Sequence, residues 1–356
     1  MNPLLISNPT NIRYLTGFVG ASPTEREAYV LQANNRIYLF INPLYREEAK
    51  DCEARVVNCT AIEVSRDHPF SRELALICEK ESIQKLDFEE DDLNVSEYET
   101  LKNALKRTTL IHSRQRIEKI RQIKRPDEIA SIQKAAELTD ACFRAIVQLL
   151  KPGVTESKIV SEIEYFFKKH GHESAFSPIV AFGKNTSKPH YNSLSDGARK
   201  FQSLALKSSD MVLLDFGAKV NGYCADMTRM VFLGSPIPQW QTAYDALLAA
   251  QTHALSLLSS GERNGAKIDN ETRKIIEHAS LPTYPHSLGH ALGLDIHETP
   301  RLYKNIDEEI QTNMVITIEP GVYVDGEFGM RIEDTVHITN SGIEILTRTP
   351  KELLVI

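Results

Sequence analysis

The sequence predicts two successive domains: an α/β unit over residues 1–120 and an α+β unit with an antiparallel sheet over residues 121–356. Three observations carry this. The 356 residues exceed one ordinary domain and can bury a sizeable core. Up to about residue 112, short runs rich in strand-forming residues alternate with helical stripes, the pattern of a partly parallel sheet. Beyond Pro126 the order becomes helix, helix, strands, helix, helix, strands, as a duplicated half-domain would read.

In the first unit, Ala28 to Ile41 reads as a hairpin about Asn34-Asn35. Tyr45 to Cys52 reads as helical, Arg55 to Cys59 as extended, Phe70 to Lys80 as helical, Lys85 to Phe88 as extended, Val95 to Lys106 as helical and Thr109 to His112 as extended. No cluster of metal ligands and no phosphate loop stands out here, so its expected role is shape: capping a site, touching substrate or dimerising. The basic stretch Ser113 to Arg125 is the boundary, read as a solvated connecting helix. Pro126 opens a helix at a favoured first-turn position, with Asp127 and Glu128 complementing the dipole, and Pro152-Gly153 stops its apolar stripe. Helices follow over Glu156 to His170, Gln239 to Ser259 and Ala266 to Ala279.

Composition narrows the function. Hydrophobic residues at 42% and charged residues at 25% are those of a soluble globular protein. A formal net charge of −7 lacks the basic footprint of a general nucleic-acid binder. The start shows no signal peptide, and no stretch reaches bilayer-spanning length, so no membrane partner is expected. Five cysteines with no C-x-x-C suit reduced thiols in a cytoplasm. Cys224 is read as a small core residue.

The chemistry centres on VLLDFGAKVNGYCADMTR, Val212 to Arg229. Asn221-Gly222 is a strong type I′ hairpin signal, because both central residues of that turn need positive φ. With that turn, Val220 faces Tyr223 and Asp215 faces Thr228, which puts Asp215 and Asp226 on one face as diagonal neighbours. Two like charges so placed repel, and the pattern asks for a metal ion. A three-residue turn would reverse the parity. Farther along, Pro285 to Pro300 holds His286, His290 and His297, and Ile316 to Val322 ends a strand on Glu319. Met330 to Ile338 places Arg331, Glu333, Thr335 and His337 on one strand face, with Arg331 beside Glu333 to orient a metal-bound carboxylate. Singly these are weak signals, since loop histidines often bond only to backbone. A two-residue turn at Asp325-Gly326 would also set Glu319 and Glu333 on opposite faces, so their convergence would need a bulge near Gly321 or Gly329.

Taken together, the order Asp, Asp, His, Glu, Glu resembles the pita-bread metallopeptidases, in particular the Xaa-Pro branch of aminopeptidase P and prolidase. The resemblance covers essentially the whole chain: NIRYLTGFVG from Asn11, IRQIKRPDEIASIQKAAE from Ile120, LLDFGAKVNGYCADMTR, HSLGHALGLDIHE, TIEPGVY and MRIEDT. It implies a creatinase/prolidase-like N-terminal α/β domain with linker helix over residues 1–120 and a pita-bread (creatinase/aminopeptidase) α+β catalytic domain over 121–356. By motif, Asp215, Asp226, His290, Glu319 and Glu333 would hold two divalent ions, with Asp226 and Glu333 bridging and a hydroxide between the ions as nucleophile. The carboxylate-rich donor set suits Mn²⁺ or Co²⁺, with Zn²⁺ as a further candidate. Glu319 would take the proton. His190, in KPHYN, would contact substrate or serve the leaving group, His297 would steady the tetrahedral intermediate, and His286 would support it. Arg331 completes the substrate-binding set. Ala291 stands where relatives usually have glycine, and its methyl is expected to bear on pocket width and fine specificity.

The resemblance implies an Xaa-Pro aminopeptidase, cytoplasmic and homodimeric, acting on proline-containing peptides. Prolidase action on dipeptides is the alternative, and would need a cationic group closing the cleft against the substrate carboxylate. A non-catalytic binding protein on the same fold is more remote, because all five ligand positions are intact. A methionine aminopeptidase would lack the extra N-terminal domain, and creatinase works without metal.

Overall fold

The computed structural model describes residues 2–20, 26–192, 204–306 and 308–356. It divides into two compact units, Met1–Ile120 and Arg121–Ile356. In the first, strands β1 (Leu4–Ile6), β2 (Ala28–Ala33), β3 (Arg36–Ile41), β4 (Cys59–Glu63), β5 (Lys85–Glu89) and β6 (Thr109–Ser113) form one sheet in the order β4-β3-β2-β1-β5-β6. The pairs β3/β4, β1/β5 and β5/β6 are parallel, while β1/β2 and β2/β3 are antiparallel. Alternate side chains serve opposite faces, as a two-residue period demands. Leu5, Leu31 and Phe40 pack with α3 (Phe70–Lys80) and α4 (Val95–Ala104), while Leu4, Ile6, Val30 and Leu39 pack with α1 (Pro9–Thr16) and α2 (Arg46–Arg55). Asn34 and Asn35 both take positive φ in the turn between β2 and β3, as the hairpin reading requires.

Two local readings of this unit need correction. Arg55 ends α2 instead of opening a strand, because the Val56 N–H closes the helix on the Cys52 carbonyl and Asn58 turns the chain at φ 59° before β4. Leu4–Ile6 and Pro9–Thr16 are a strand and a helix that the elements read from the sequence do not include. The buried Glu89 carboxylate creates that start, accepting from the Ser7 and Asn8 N–H groups at the head of α1 and from Asn11 Nδ2. The connecting helix is α5 (Arg116–Gln122).

The second unit opens with α6 (Pro126–Val147) and α7 (Glu156–Lys169), then β7 (Glu173–Ser174), β8 (Ile179–Phe182), β9 (Met211–Asp215), β10 (Ala218–Val220), β11 (Tyr223–Cys224) and β12 (Thr228–Phe232). Helices α8 (Pro238–Ser259) and α9 (Gly265–His278) follow. The chain then runs through β13 (Gly289–Ala291), β14 (Glu298–Leu302), β15 (Val315–Ile318), β16 (Gly321–Val324), β17 (Phe328–Arg331), β18 (Asp334–Thr339), β19 (Gly342–Ile345) and β20 (Leu354–Val355). Strand β9 is buried on both faces: Met211 and Leu213 pack with α8 and α9, Val212 and Leu214 with α6 and α7. Among the described residues no helix is long and apolar enough to cross a membrane.

Two hairpins frame the site. Asn221 (φ 52°) and Gly222 (φ 88°) make the expected turn, Val220 pairs with Tyr223, and Asp215 pairs with Thr228. The register survives an irregular middle, where Phe216 N bonds Met227 O and Ala225 N bonds Ala218 O. The second hairpin departs from expectation. Val324 pairs with Phe328 across a three-residue turn, Asp325 to Glu327, with Gly326 at φ 71°. That extra residue restores the parity, so Gly321 pairs with Arg331, Ile318 with Asp334, and no bulge near Gly321 or Gly329 is needed. The strand read as continuous from Met330 to Ile338 is instead β17 and β18, parted at Ile332 and Glu333.

Gly217 lies where the first hairpin is tightest: a Cβ there would sit 1.6 Å from the Ala225 carbonyl oxygen, next to Asp226. Gly217→Ala is expected to push the Asp226 segment off, destabilising the protein by about 1–3 kcal/mol as overpacking does. Chemical denaturation should show that loss, and metal titration a weaker affinity.

Candidate metal and catalytic site

A cavity of about 330 Å³ in the second unit is lined by His190, Asp215, Asp226, His286, His290, His297, Glu319, Arg331 and Glu333, while Thr335 and His337, read on the same strand face, are not in its lining. The hairpins deliver the acids, since Asp215 ends β9, Asp226 lies between β11 and β12, and Glu319 and Glu333 sit at the break between β15/β18 and β16/β17. His290 comes from the centre of β13.

Asp226, His290 and Glu333 each offer a donor atom within 4.8 Å of the other two. Glu319 is adjacent, with Oε1 3.5 Å from His290 Nε2, while Asp226 Oδ2 is 3.8 Å from the same nitrogen. His290 Nδ1 lies 3.0 Å from its neighbour's carbonyl, on Ala291, so Nδ1 carries the proton and the Nε2 lone pair faces the acids. Ala291 itself is fully buried and packs its methyl into the core beneath the site. Asp215 stands outside this trio, because its Oδ2 pairs with Arg331 Nη2. The expected Arg331 partner, Glu333, is instead held by Thr228, whose hydroxyl donates to Oε2 at 2.6 Å.

The sequence places Thr228 and Thr335 near the acids but does not show that they brace them, and it leaves Tyr323 unread. Thr228 also accepts from Arg331 Nε at 3.0 Å, and Tyr323 accepts from Arg331 Nη1 at 2.7 Å while lying 3.2 Å from His286 Nε2. Thr335 accepts from Asp226 N and donates to Asp226 O, pinning that residue at both ends. Strand alternation held the signal for Tyr323, four positions from Glu319, and for Thr335, two from Glu333. Phe176, Ile179 and Ile296 add an apolar wall, and Arg301 a cation, to the lining.

Behind the acids, Asp334 is fully buried and accepts from Arg229 Nη2 at 2.6 Å, Lys351 Nζ at 2.7 Å and Gln251 Nε2 at 3.0 Å. Beside His297, Glu298 accepts from Arg121 at 2.5 Å and from buried Lys124 at 3.0 Å. His297 stands edge-on to His290, ring centroids 4.6 Å apart.

The electrostatics fit a cation. Burial, then the charge of Glu333, pushes the Asp226 carboxyl far above its usual range, and burial followed by Glu319 does the same to Glu333. Burial raises Glu319 to about 8. Burial lowers His290 and His286 to about 3 each, so both imidazoles are neutral and free to offer a lone pair. Asp226 Oδ1 is buried with no hydrogen-bond partner, as a donor awaiting a metal would be. Carboxylates with one neutral imidazole are a donor set for divalent ions.

Such a cavity, on a mixed-sheet frame with paired helices, defines a metal-dependent hydrolase. Residues 130–340 match metallopeptidase family M24, and residues 2–123 match the creatinase/prolidase N-terminal domain. The chain is 32% identical over 357 residues to an uncharacterised peptidase, YqhT, of Bacillus subtilis (strain 168), covering 99% of this chain and 95% of that one. Its fold is similar to an Xaa-Pro dipeptidase from Bacillus anthracis (TM-score 0.89, 31% identity, 100% of this chain and 95% of that one). It is also similar to an X-Pro aminopeptidase from Thermotoga maritima (TM-score 0.86, 28% identity, 100% and 98%). The chain belongs to metallopeptidase family M24, with the pita-bread catalytic fold and a creatinase-type N-terminal domain. It is a metal-dependent peptidase.

Asp226→Asn is expected to raise the melting temperature of the metal-free protein at neutral pH, because the buried amide needs no proton taken up on folding, as the raised carboxyl does. The same change should shrink the stabilisation gained on adding divalent metal, which for the parent reaches about 2.7 kcal/mol at a hundredfold excess over Kd. Melting curves of both proteins with and without Mn²⁺ check the two signs.

Proposed function

We propose that the chain is an Xaa-Pro exopeptidase, hydrolysing the bond between an N-terminal residue and proline. The observation that carries this is the joining of five metal-type donors to an apolar wall and three histidines in one cavity. In this reading Asp215, Asp226, His290, Glu319 and Glu333 hold two divalent ions, with Mn²⁺ preferred over Co²⁺ and Zn²⁺ for a carboxylate-rich set. Ions bound there would supply Lewis acidity, making water a nucleophile near neutral pH. Asp215 then answers both to metal and to Arg331, which fixes its orientation.

The other residues divide the remaining work. Glu319, beside His290 at the edge of the acid cluster, would take the proton from the attacking water once bound cations keep its carboxyl ionised. Phe176, Ile179 and Ile296 accept the pyrrolidine ring, which offers only hydrocarbon to that wall. His190, a solvent-exposed residue of the cavity lining, meets the proline nitrogen, a secondary amine that must be protonated as it leaves. His297 faces the developing oxyanion, and His286, tied to Tyr323, supports it.

Aminopeptidase action on longer peptides is the first reading, supported by the similarity to the T. maritima enzyme. One observation favours the dipeptide reading: Arg301, exposed on β14 opposite His290, brings a guanidinium to the wall, where a free proline carboxylate would find a bidentate partner. The B. anthracis neighbour is named for that activity. The family resemblance supports a homodimer, which sedimentation would measure. Five unpaired cysteines, four of them buried, support the cytoplasm.

Mn²⁺-loaded protein is expected to cleave Xaa-Pro substrates and to lose activity on chelation. Absence of turnover on every Xaa-Pro and Xaa-Pro-Yaa peptide, with metal bound, would overturn the proposal. Arg301→Met is expected to raise KM for Xaa-Pro at least about tenfold, the loss of one charge-assisted pair. It should leave Xaa-Pro-Yaa less affected; equal effects on both would discard the dipeptide reading.

A further inference from the structure

Among the fully buried acids that the catalytic scheme leaves unused, one lies close to His190 in the fold. Glu156, in the first turn of α7, has no exposed surface, yet each carboxylate oxygen is occupied twice. Oε1 accepts from Phe182 N at 2.8 Å and Asn185 Nδ2 at 2.9 Å; Oε2 accepts from Tyr191 OH at 2.8 Å and Leu204 N at 2.8 Å. Asn185 Nδ2 also donates to Tyr191 OH at 2.9 Å, closing a triangle. A buried carboxylate is costly unless so bonded, and once bonded it holds its partners rigidly.

What this triangle holds is the residue after His190. Tyr191 is buried while His190 beside it is exposed towards the cavity. On the other flank, the Pro189 carbonyl accepts from Arg331 Nη1 at 3.3 Å. The histidine thus stands between two fixed points, one tied to the arginine that braces Asp215 and one to a carboxylate on a helix outside the cavity. It lines the same cavity as His286 and His297.

We propose that Glu156 and Tyr191 are positioning residues for His190, setting where that imidazole meets the leaving nitrogen. The proposal rests on the reading of His190 as the group serving the departing proline. It accounts for a four-times hydrogen-bonded acidic side chain in the core far better than packing does, because an apolar residue would fill the same volume without desolvation.

The test is a double-mutant cycle on the full, metal-loaded chain with Xaa-Pro substrate, using Tyr191→Phe, which removes one hydroxyl and keeps the ring. Tyr191→Phe is expected to lower kcat/KM by about tenfold to a hundredfold, mostly in kcat, as a small displacement of a reacting group does. Added to His190→Ala, it should cost nothing more, because there is no imidazole left to place. Losses that multiply, or a Tyr191→Phe enzyme indistinguishable from the parent, overturn the proposal. An unaffected His190→Ala enzyme instead removes the role assigned to His190, and the positioning role with it. A readout independent of turnover is the histidine Cε1–H spectrum of the metal-free full chain, with His190→Ala assigning the signal. Tyr191→Phe should displace that signal and leave the other histidines in place; an unmoved signal refutes the coupling. Glu156→Gln, which puts an amide hydrogen against a donor, should act in the same direction, and if it does not fold the tyrosine variant still decides.

Discussion

The site depends on parity. Side chains on a strand alternate with a period of two, so the number of residues in a turn decides whether two acids on its arms share a face. In the first hairpin Asn221-Gly222 sets Asp215 against Thr228 through a stretch of irregular backbone. In the second, three turn residues keep β15/β18 and β16/β17 in one register on both sides of a break, and Glu319 and Glu333 emerge at that break. Neither pair is close in sequence to the other. They meet because both hairpins keep count where hydrogen bonding is interrupted, as the Ile332 N to Pro320 O contact across the second break indicates.

Parity gathers charge that the interior cannot hold unaided. Asp226 and Glu333 lie almost wholly out of water, and like charges in a low-dielectric setting resist ionising together. The fold answers in two ways. Arg331 reaches Asp215, Thr228 and Tyr323 at once, a fork geometry that lysine could not reproduce. The remaining imbalance is what divalent ions neutralise, so metal binding and the stability of this unit are linked quantities.

Much of this was legible in the chain. Helices α3 and α6 began at the residues their stripes and caps mark, and the Asn221-Gly222 register followed from turn chemistry alone. Asp215, Asp226, His290, Glu319 and Glu333 stood out by order and residue type, and the cavity brings them together. The second turn misled because Asp325-Gly326 reads equally as a two-residue loop or as part of a three-residue one, and Glu327 carries no distinguishing mark. Arg331 was assigned to the acid nearest in sequence, whereas its partner lies 116 positions away. The bracing tasks of Thr228 and Thr335, whose positions the register gives, and of the buried Glu156, were unreadable for a simpler reason. Their residue types are ordinary on strands and in first turns, and only a tertiary partner gives them a task.

Asp334 lies beside Glu333 in the chain but turns the other way, into a pocket closed by Arg229, Gln251 and Lys351, with the Thr349 carbonyl accepting from the same arginine. The last stretch of polypeptide therefore works as a keystone for a centre that none of its own side chains lines. Trimming inward from the carboxyl terminus, or fusing bulky cargo there, would disturb ion retention as soon as it loosened Lys351, whose backbone carbonyl also accepts from Tyr244 on α8.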